Sequence, residues 1–237
     1  MVASRVEIFC WASTAVSQRV STDTWLNWFR RLSRPLLSIG PMMDRATLEA
    51  YDANAASFAE DWETQKPPLD VYEIVRRYFK RGLTADIGCG SGRDTAWLND
   101  NGYLTRGFDA SEGLLNEARR RHPGIVFEKS SLPDLVGVAD SSFVNVLCET
   151  VLMHVHALLV PLAVRRLLAI LAPGGVLYLS WRVTEGIGQR DERGRLYTAL
   201  DPAMVVAALT PTDVLFEESA VSESSGKLVH RIVAQRR

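Results

Sequence analysis

Asp86, Gly88, Gly90 and Gly92 stand on alternate positions in the run Leu83-Thr84-Ala85-Asp86-Ile87-Gly88-Cys89-Gly90-Ser91-Gly92-Arg93-Asp94. Glycine has no Cβ, so such a loop turns tightly and lets a ligand lie almost against its backbone. A helix opening through Thr95, Ala96, Trp97 and Leu98 would aim its free amides and the positive end of its dipole back into the loop. The chemistry indicated is retention of a nucleotide-like cofactor. A phosphate-binding loop closes on Gly-Lys-Ser/Thr, and this one contains no lysine. A dinucleotide loop has a further glycine where this chain has Arg93. The spacing matches neither of those loops, and a purely structural glycine turn is the alternative.

Other residues could take part in the same chemistry. Asp109 ends the apolar stretch Tyr103 to Phe108, where a carboxylate can accept from both hydroxyls of a ribose. Asp109-Ala110-Ser111 also opens a helical stretch, so Asp109 could instead cap or precede that helix. Ser130-Ser131-Leu132-Pro133 leaves the short run Ile125 to Glu128, and its hydroxyls can donate or accept or simply shape a turn. Glu149 and Thr150 fall at the end of Ser142 to Cys148, and His154 follows one helical turn later. Open parallel sheets gather ligands at the carboxyl ends of their strands, so these groups should converge.

The elements needed to position them can be read from the pattern. Apolar runs ending at Ile87, Phe108, Glu128, Cys148 and Trp181 read as strands, separated by helical stretches and Gly, Pro or Asn turns. Leu48 to Ala59 is read as one continuous helix, and the stretch from Glu149 as the start of another. Pro173-Gly174-Gly175 turns into Val176 to Trp181, and Asp201 to Leu209 is helical. Val214 to Glu218 and Leu228 to Ala234, joined by a polar turn, read as a terminal antiparallel hairpin.

Asp-x-Gly-x-Gly-x-Gly after a strand resembles motif I of the class I S-adenosylmethionine-dependent methyltransferases, and the later features recur in the family's order. These are Asp109 after the second strand, a Leu-Pro pair after the third, the Val-Leu-Met-His ending at His154, and Leu171-x-Pro173-Gly174-Gly175 before the fifth. Two departures stand out: Ser130 replaces the usual acid beside the adenine, and Val144 an acid in the fourth strand. The resemblance extends from about Ala46 to Arg237. It is closest to small-molecule bacterial enzymes, including the tellurite-resistance-like branch.

The resemblance implies an α/β, Rossmann-like, doubly wound fold: a seven-stranded, mostly parallel sheet with its last strand antiparallel and helices on both faces. It implies S-adenosyl-L-methionine as cofactor. Asp86 would balance the ammonium, directly or through water, with Gly88, Cys89, Gly90, Ser91 and Gly92 forming the loop and Asp109, Ala110 and Ser111 meeting the ribose. Ser130, Ser131 and Leu132 would meet the adenine. Tyr51, Glu149, Thr150 and His154 would lie at the methionine end, Tyr51 on a covering helix. His154 is the one catalytic candidate, against a packing or capping role. Substrate contacts are expected from Trp181, Arg182, Arg190, Arg193 and Tyr197, although Gln189 to Tyr197 also reads as a solvated loop. The expected activity is direct methyl transfer to an O, N or S nucleophile of a small molecule. The alternative is a non-catalytic methyltransferase-fold protein serving as a regulatory or assembly partner.

Composition sets broad bounds. A chain of 237 residues, 47% hydrophobic, can bury a full α/β core. A net charge of −1 without a dense basic run gives no support for a nucleic-acid partner. Three scattered cysteines and four histidines suggest a reducing compartment, taken as cytoplasmic, and neither disulfides nor a metal site. No stretch approaches a membrane span, and a monomer or homodimer is expected. Residues 42–237 are assigned to the methyltransferase-like domain. Residues 1–41, arginine-rich with Trp11, Trp25 and Trp28, are a targeting segment, a partner helix or an over-extended start.

Overall fold

A computed structural model describes residues 43–186 and 188–237, so the readings made for residues 1–41 lie outside the described residues. Its seven-stranded sheet is built from β1 (Thr84–Ile87), β2 (Thr105–Asp109), β3 (Val126–Lys129), β4 (Phe143–Cys148), β5 (Leu171–Arg182), β8 (Thr212–Val221) and β9 (Leu228–Arg236). The order is β3-β2-β1-β4-β5-β9-β8. The pairs from β3 through β5 are parallel, and β9 lies antiparallel between β5 and β8. This is the expected sheet, with the last strand inserted rather than added at the edge.

Alternation along β5 explains why both faces need covering. Leu177, Leu179 and Trp181 enter one core with Ile87, Val146 and Ile232, closed by α6 (Val160–Ile170) and α7 (Pro202–Ala208). Val176 and Tyr178 enter the other with Leu147 and Val233, closed by α3 (Leu69–Tyr78) and α4 (Arg93–Asp100). Helix starts follow local chemistry. Ser111 caps α5 (Glu112–Arg121) at Leu114 N, and Asp201 caps α7, where Pro202 takes the first turn. Gly92 at φ 86° lets α4 begin immediately after the loop.

Three sequence expectations change. The helix read over Leu48 to Ala59 is two: α1 (Arg45–Ala53), capped by Asp44, and α2 (Ala55–Thr64). Asn54 separates them at φ −124°, its side chain bonding back to the Ala50 carbonyl at 3.0 Å. After β4 the chain makes the 3₁₀ turns Leu152–His154 and Ala157–Leu159 before α6 begins at Val160, with Thr150 left-handed at φ 53°. The charged segment from Gln189 forms a small hairpin, β6 (Gln189–Arg190) against β7 (Leu196–Tyr197). Asp191 ties its turn, accepting from the amides of Arg193 at 3.1 Å and Arg195 at 2.9 Å.

Candidate functional site

The carboxyl ends of β1, β2 and β4 converge on two adjoining cavities. The smaller, about 110 Å³, is lined by Gly88, Gly90, Asp109, Ala110 and Ser111 and by Ser130, Ser131 and Leu132. The larger, about 580 Å³, is lined by Cys89 and Ser91 and, further out, by Arg182, Arg195, Tyr197 and Lys227. Tyr51, Trp62, Gly88, Gly90, Glu149, Thr150 and His154 border both, so the cavities meet there.

Asp109 organises the smaller cavity. Its Oδ2 accepts from the Gly90 amide at 2.9 Å and its Oδ1 from the Ser111 amide at 2.8 Å. Burial raises its pKa, and these backbone amides act in the opposite direction. Ser111 Oγ donates to Asp52 Oδ1 at 2.6 Å, which fastens α1 over this end. Ser130 is less available than expected, because its hydroxyl donates to the Val136 carbonyl at 3.1 Å.

Asp86 departs from the direct counter-charge role. It is 3% exposed, lines neither cavity and accepts from Thr95 Oγ1 at 2.6 Å. Burial pushes its pKa up to about 8. It therefore anchors the loop from below. Gly92 also stands away from the cavities, since a Cβ there would lie 2.7 Å from Phe127 Cζ. Gly90, at φ 56°, does face them: a Cβ would meet Trp62 Cζ3 at 2.8 Å.

His154 is buried and hydrogen-bonded at both ring nitrogens. Nδ1 lies 2.6 Å from the Leu196 carbonyl oxygen, which can only accept, so Nδ1 carries the proton. Nε2 then accepts from the Tyr51 hydroxyl at 3.0 Å. Burial holds the imidazole pKa down to about 4, so the ring is neutral at pH 7. Tyr51 in turn accepts from Arg195 Nη1 at 3.3 Å. Glu149 Oε2 accepts from Ser180 Oγ at 2.5 Å, and burial raises this carboxyl's pKa.

Of the expected substrate residues, Arg182 and Tyr197 line the larger cavity, and the Arg182 guanidinium lies 5.1 Å from the Tyr197 ring centre. Trp181 does not: it is 1% exposed in the core, because strand alternation turns it to the face opposite its neighbour Arg182. Arg190 pairs with Asp44 at 2.7 Å, and Arg193 lies 4.5 Å over Phe58; neither lines a cavity. Arg195 and Lys227 are the additions. Arg195 is turned inward by the β6–β7 pairing and Lys227 arrives from the β8–β9 turn, and no spacing signal marks either. Among the described residues no cluster of His, Cys, Asp and Glu could hold a metal ion, and no helix is long and apolar enough to cross a membrane.

A sheet of this order, with a glycine loop and an acid at adjacent strand ends, defines a Rossmann-like fold of the methyltransferase type. Residues 85–179 match a family described as a methyltransferase domain. Over 134 residues, 54% of the chain, it is 36% identical to a trans-aconitate 2-methyltransferase of Sinorhizobium medicae (strain WSM419), covering 48% of that protein. Over 96 residues, 39% of the chain, it is 41% identical to a namesake from Methylobacterium nodulans, covering 35%. The chain thus spans about half or less of the length of these curated relatives. A solved 1,6-didemethyltoxoflavin-N1-methyltransferase from Burkholderia thailandensis, with bound 1,6-didemethyltoxoflavin and S-adenosylhomocysteine, superposes with a TM-score of 0.62. It is 18% identical, with 93% of each chain covered. In fold and in the matched segment the chain is similar to the class I S-adenosylmethionine-dependent methyltransferases.

Proposed function

We propose that this chain transfers a methyl group from S-adenosyl-L-methionine to a small molecule. The observation that carries the reading is Asp109 bonded to the Gly90 amide in a cavity that opens into a second one. Each Asp109 oxygen spends one lone pair on an amide and keeps another for a ribose hydroxyl. The glycine loop suits such a ligand, since a side chain at Gly90 would fill the cradle. Ser131 and Leu132 border the adenine end. Tyr51 and Trp62 offer aromatic faces toward a sulfonium, and Glu149 offers a carboxylate toward an ammonium.

The cofactor supplies an activated methyl group on a sulfonium. The chain's own residues bind, align and exclude water. Helix α1 covers the junction through Tyr51, while Arg182, Arg195 and Tyr197 border the space left for an acceptor. Support for a small acceptor comes from the size of the larger cavity, about 580 Å³, and from relatives whose names specify small molecules.

Calorimetric titration with S-adenosylmethionine and S-adenosylhomocysteine, with NADH as control, tests the reading. Saturable binding of the first two alone is expected. A folded, ligand-free sample that binds neither would overturn it. Binding without turnover on any acceptor would favour the non-catalytic partner role.

A further inference from the structure

Resting on that reading, we infer that Ser180 is a positioning residue: its one hydroxyl sets the Glu149 carboxylate and the Thr150 backbone in the geometry that receives the cofactor's ammonium. Ser180 lines neither cavity, and two independent observations carry its role.

The first is a strained turn pinned from below. Glu149 and Thr150 border both cavities, at the junction where the methionine end would lie. Thr150 is β-branched and yet left-handed at φ 53°, a conformation that persists only where the surroundings hold it. Its amide donates to Ser180 Oγ at 2.9 Å, and the same hydroxyl donates to Glu149 Oε2 at 2.5 Å. A hydroxyl that accepts from one residue and donates to its neighbour leaves neither free to turn. Each carboxylate oxygen carries two lone pairs, so Glu149 bound to Ser180 keeps acceptor capacity for an ammonium.

The second observation is a polar row crossing an otherwise apolar face. Alternation along β5 packs Val176 and Tyr178 into the core they share with Val233. The next position on that face is Ser180, 0% exposed, and its partner across the ladder is Arg231, 1% exposed. Arg231 pairs with Glu218 of β8 at 3.2 Å and with Asp70 of α3. A buried ion pair seldom stabilises a fold more than apolar side chains of similar volume would. The guanidinium does act one strand away, where its charge favours an ionised Glu149.

Ionisation matters because an ammonium is gripped by a carboxylate far more strongly than by a neutral carboxyl. Burial raises the Glu149 pKa, while the Ser180 hydrogen bond and the Arg231 charge lower it. The other titratable or charged groups facing this carboxyl are Arg93 and Asp94 of α4, the Cys148 thiol and the Tyr178 hydroxyl. Arg93 and Asp94 pair at 3.0 Å and largely cancel. Burial keeps the protons on Cys148 and Tyr178, so neither brings a charge. Among all these groups the Ser180 hydrogen bond opposes burial most.

The test is calorimetry on the full chain with two ligands. S-adenosylhomocysteine carries the ammonium; 5′-methylthioadenosine keeps the adenosine and the sulfur but lacks the amino-acid end. Ser180→Ala removes one oxygen and no carbon, so the core keeps its packing. It should weaken the first ligand by at least about tenfold and the second by less than about twofold. The pH below which S-adenosylhomocysteine affinity falls should move up by about one pH unit, because the lost hydrogen bond favoured the ionised carboxyl. In a Glu149→Gln background the same substitution should cost only about twofold, the part carried by the Thr150 backbone. Equal weakening of both ligands, an unmoved pH profile, or the full tenfold loss in the Glu149→Gln background overturns the positioning role and leaves the methyltransferase reading standing. Unchanged S-adenosylhomocysteine affinity in Ser180→Ala does the same. Failure of the unsubstituted chain to bind S-adenosylhomocysteine overturns the reading beneath it.

Discussion

Asp109 does two jobs with one carboxylate: it closes the glycine loop through the Gly90 amide and faces the smaller cavity. Asp109→Ala should lose S-adenosylhomocysteine affinity by about tenfold or more with helicity retained, since a charge-assisted contact is removed; circular dichroism and calorimetry on one sample check this. Unchanged affinity would sink the ribose assignment. Asp86 leads to a different prediction. Its folded pKa, near 8, lies above the ordinary carboxyl value of 3.8, so its contribution to stability is complete below about pH 4 and lost as pH rises through about 8. The thermal midpoint of the cofactor-free chain should therefore fall more steeply over that window than in Asp86→Asn. Equal slopes would contradict it. Motif spacing located both acids at strand ends, where the structure also has them. That Asp86 faces Thr95 rather than the cavity was not legible, because one-residue spacing fixes position along a strand and not what a side chain meets.

At the scale of elements, the cover over the site depends on a few polar ties. Thr47 is fully buried: its hydroxyl donates to Asp44 at 2.7 Å and accepts from the Leu196 amide at 2.8 Å, joining α1 to the β6–β7 hairpin. Thr47→Val keeps the shape but strands that amide, which should cost about 1–3 kcal/mol. Faster hydrogen exchange across Gln189 to Tyr197 is expected, and unchanged exchange would count against the tie. The loop is open to a similar probe. Gly90→Ala adds strain at φ 56° and presses on Trp62, so cofactor affinity should fall by more than tenfold (about 1.4 kcal/mol). Calorimetry reads that out directly. The hairpin was the element least legible in the sequence. Nine mostly polar residues carry no period, and only pairing across the Asp191-anchored turn sends Arg195 inward. The break at Asn54 was hidden for a related reason: the apolar spacing on either side continues as though one helix ran through it.

The whole molecule followed its sequence more closely than its parts did. Strand order in this sheet depends on which apolar runs alternate with helices, and that alternation was plain from Thr84 to Arg182. Trp181 shows the limit: its strand was recognised, but the face it takes depends on a register set by β4 and β9. If the domain assignment is right, a chain of residues 42–237 should bind S-adenosylhomocysteine within about twofold of the full chain, a difference under half a kcal/mol. A larger loss would give residues 1–41 a part in the site.

The position of β9 also bears on how the protein comes into being. Among the described residues Thr212–Val221 pairs with Leu228–Arg236 alone, and that strand links it to β5. During synthesis the β3-to-β5 half of the sheet can assemble behind the ribosome, but β8 has no neighbour until the following strand is released. The sheet therefore cannot close during elongation through residue 227. The newborn chain leaves the edge of β5 without its native partner until that segment emerges.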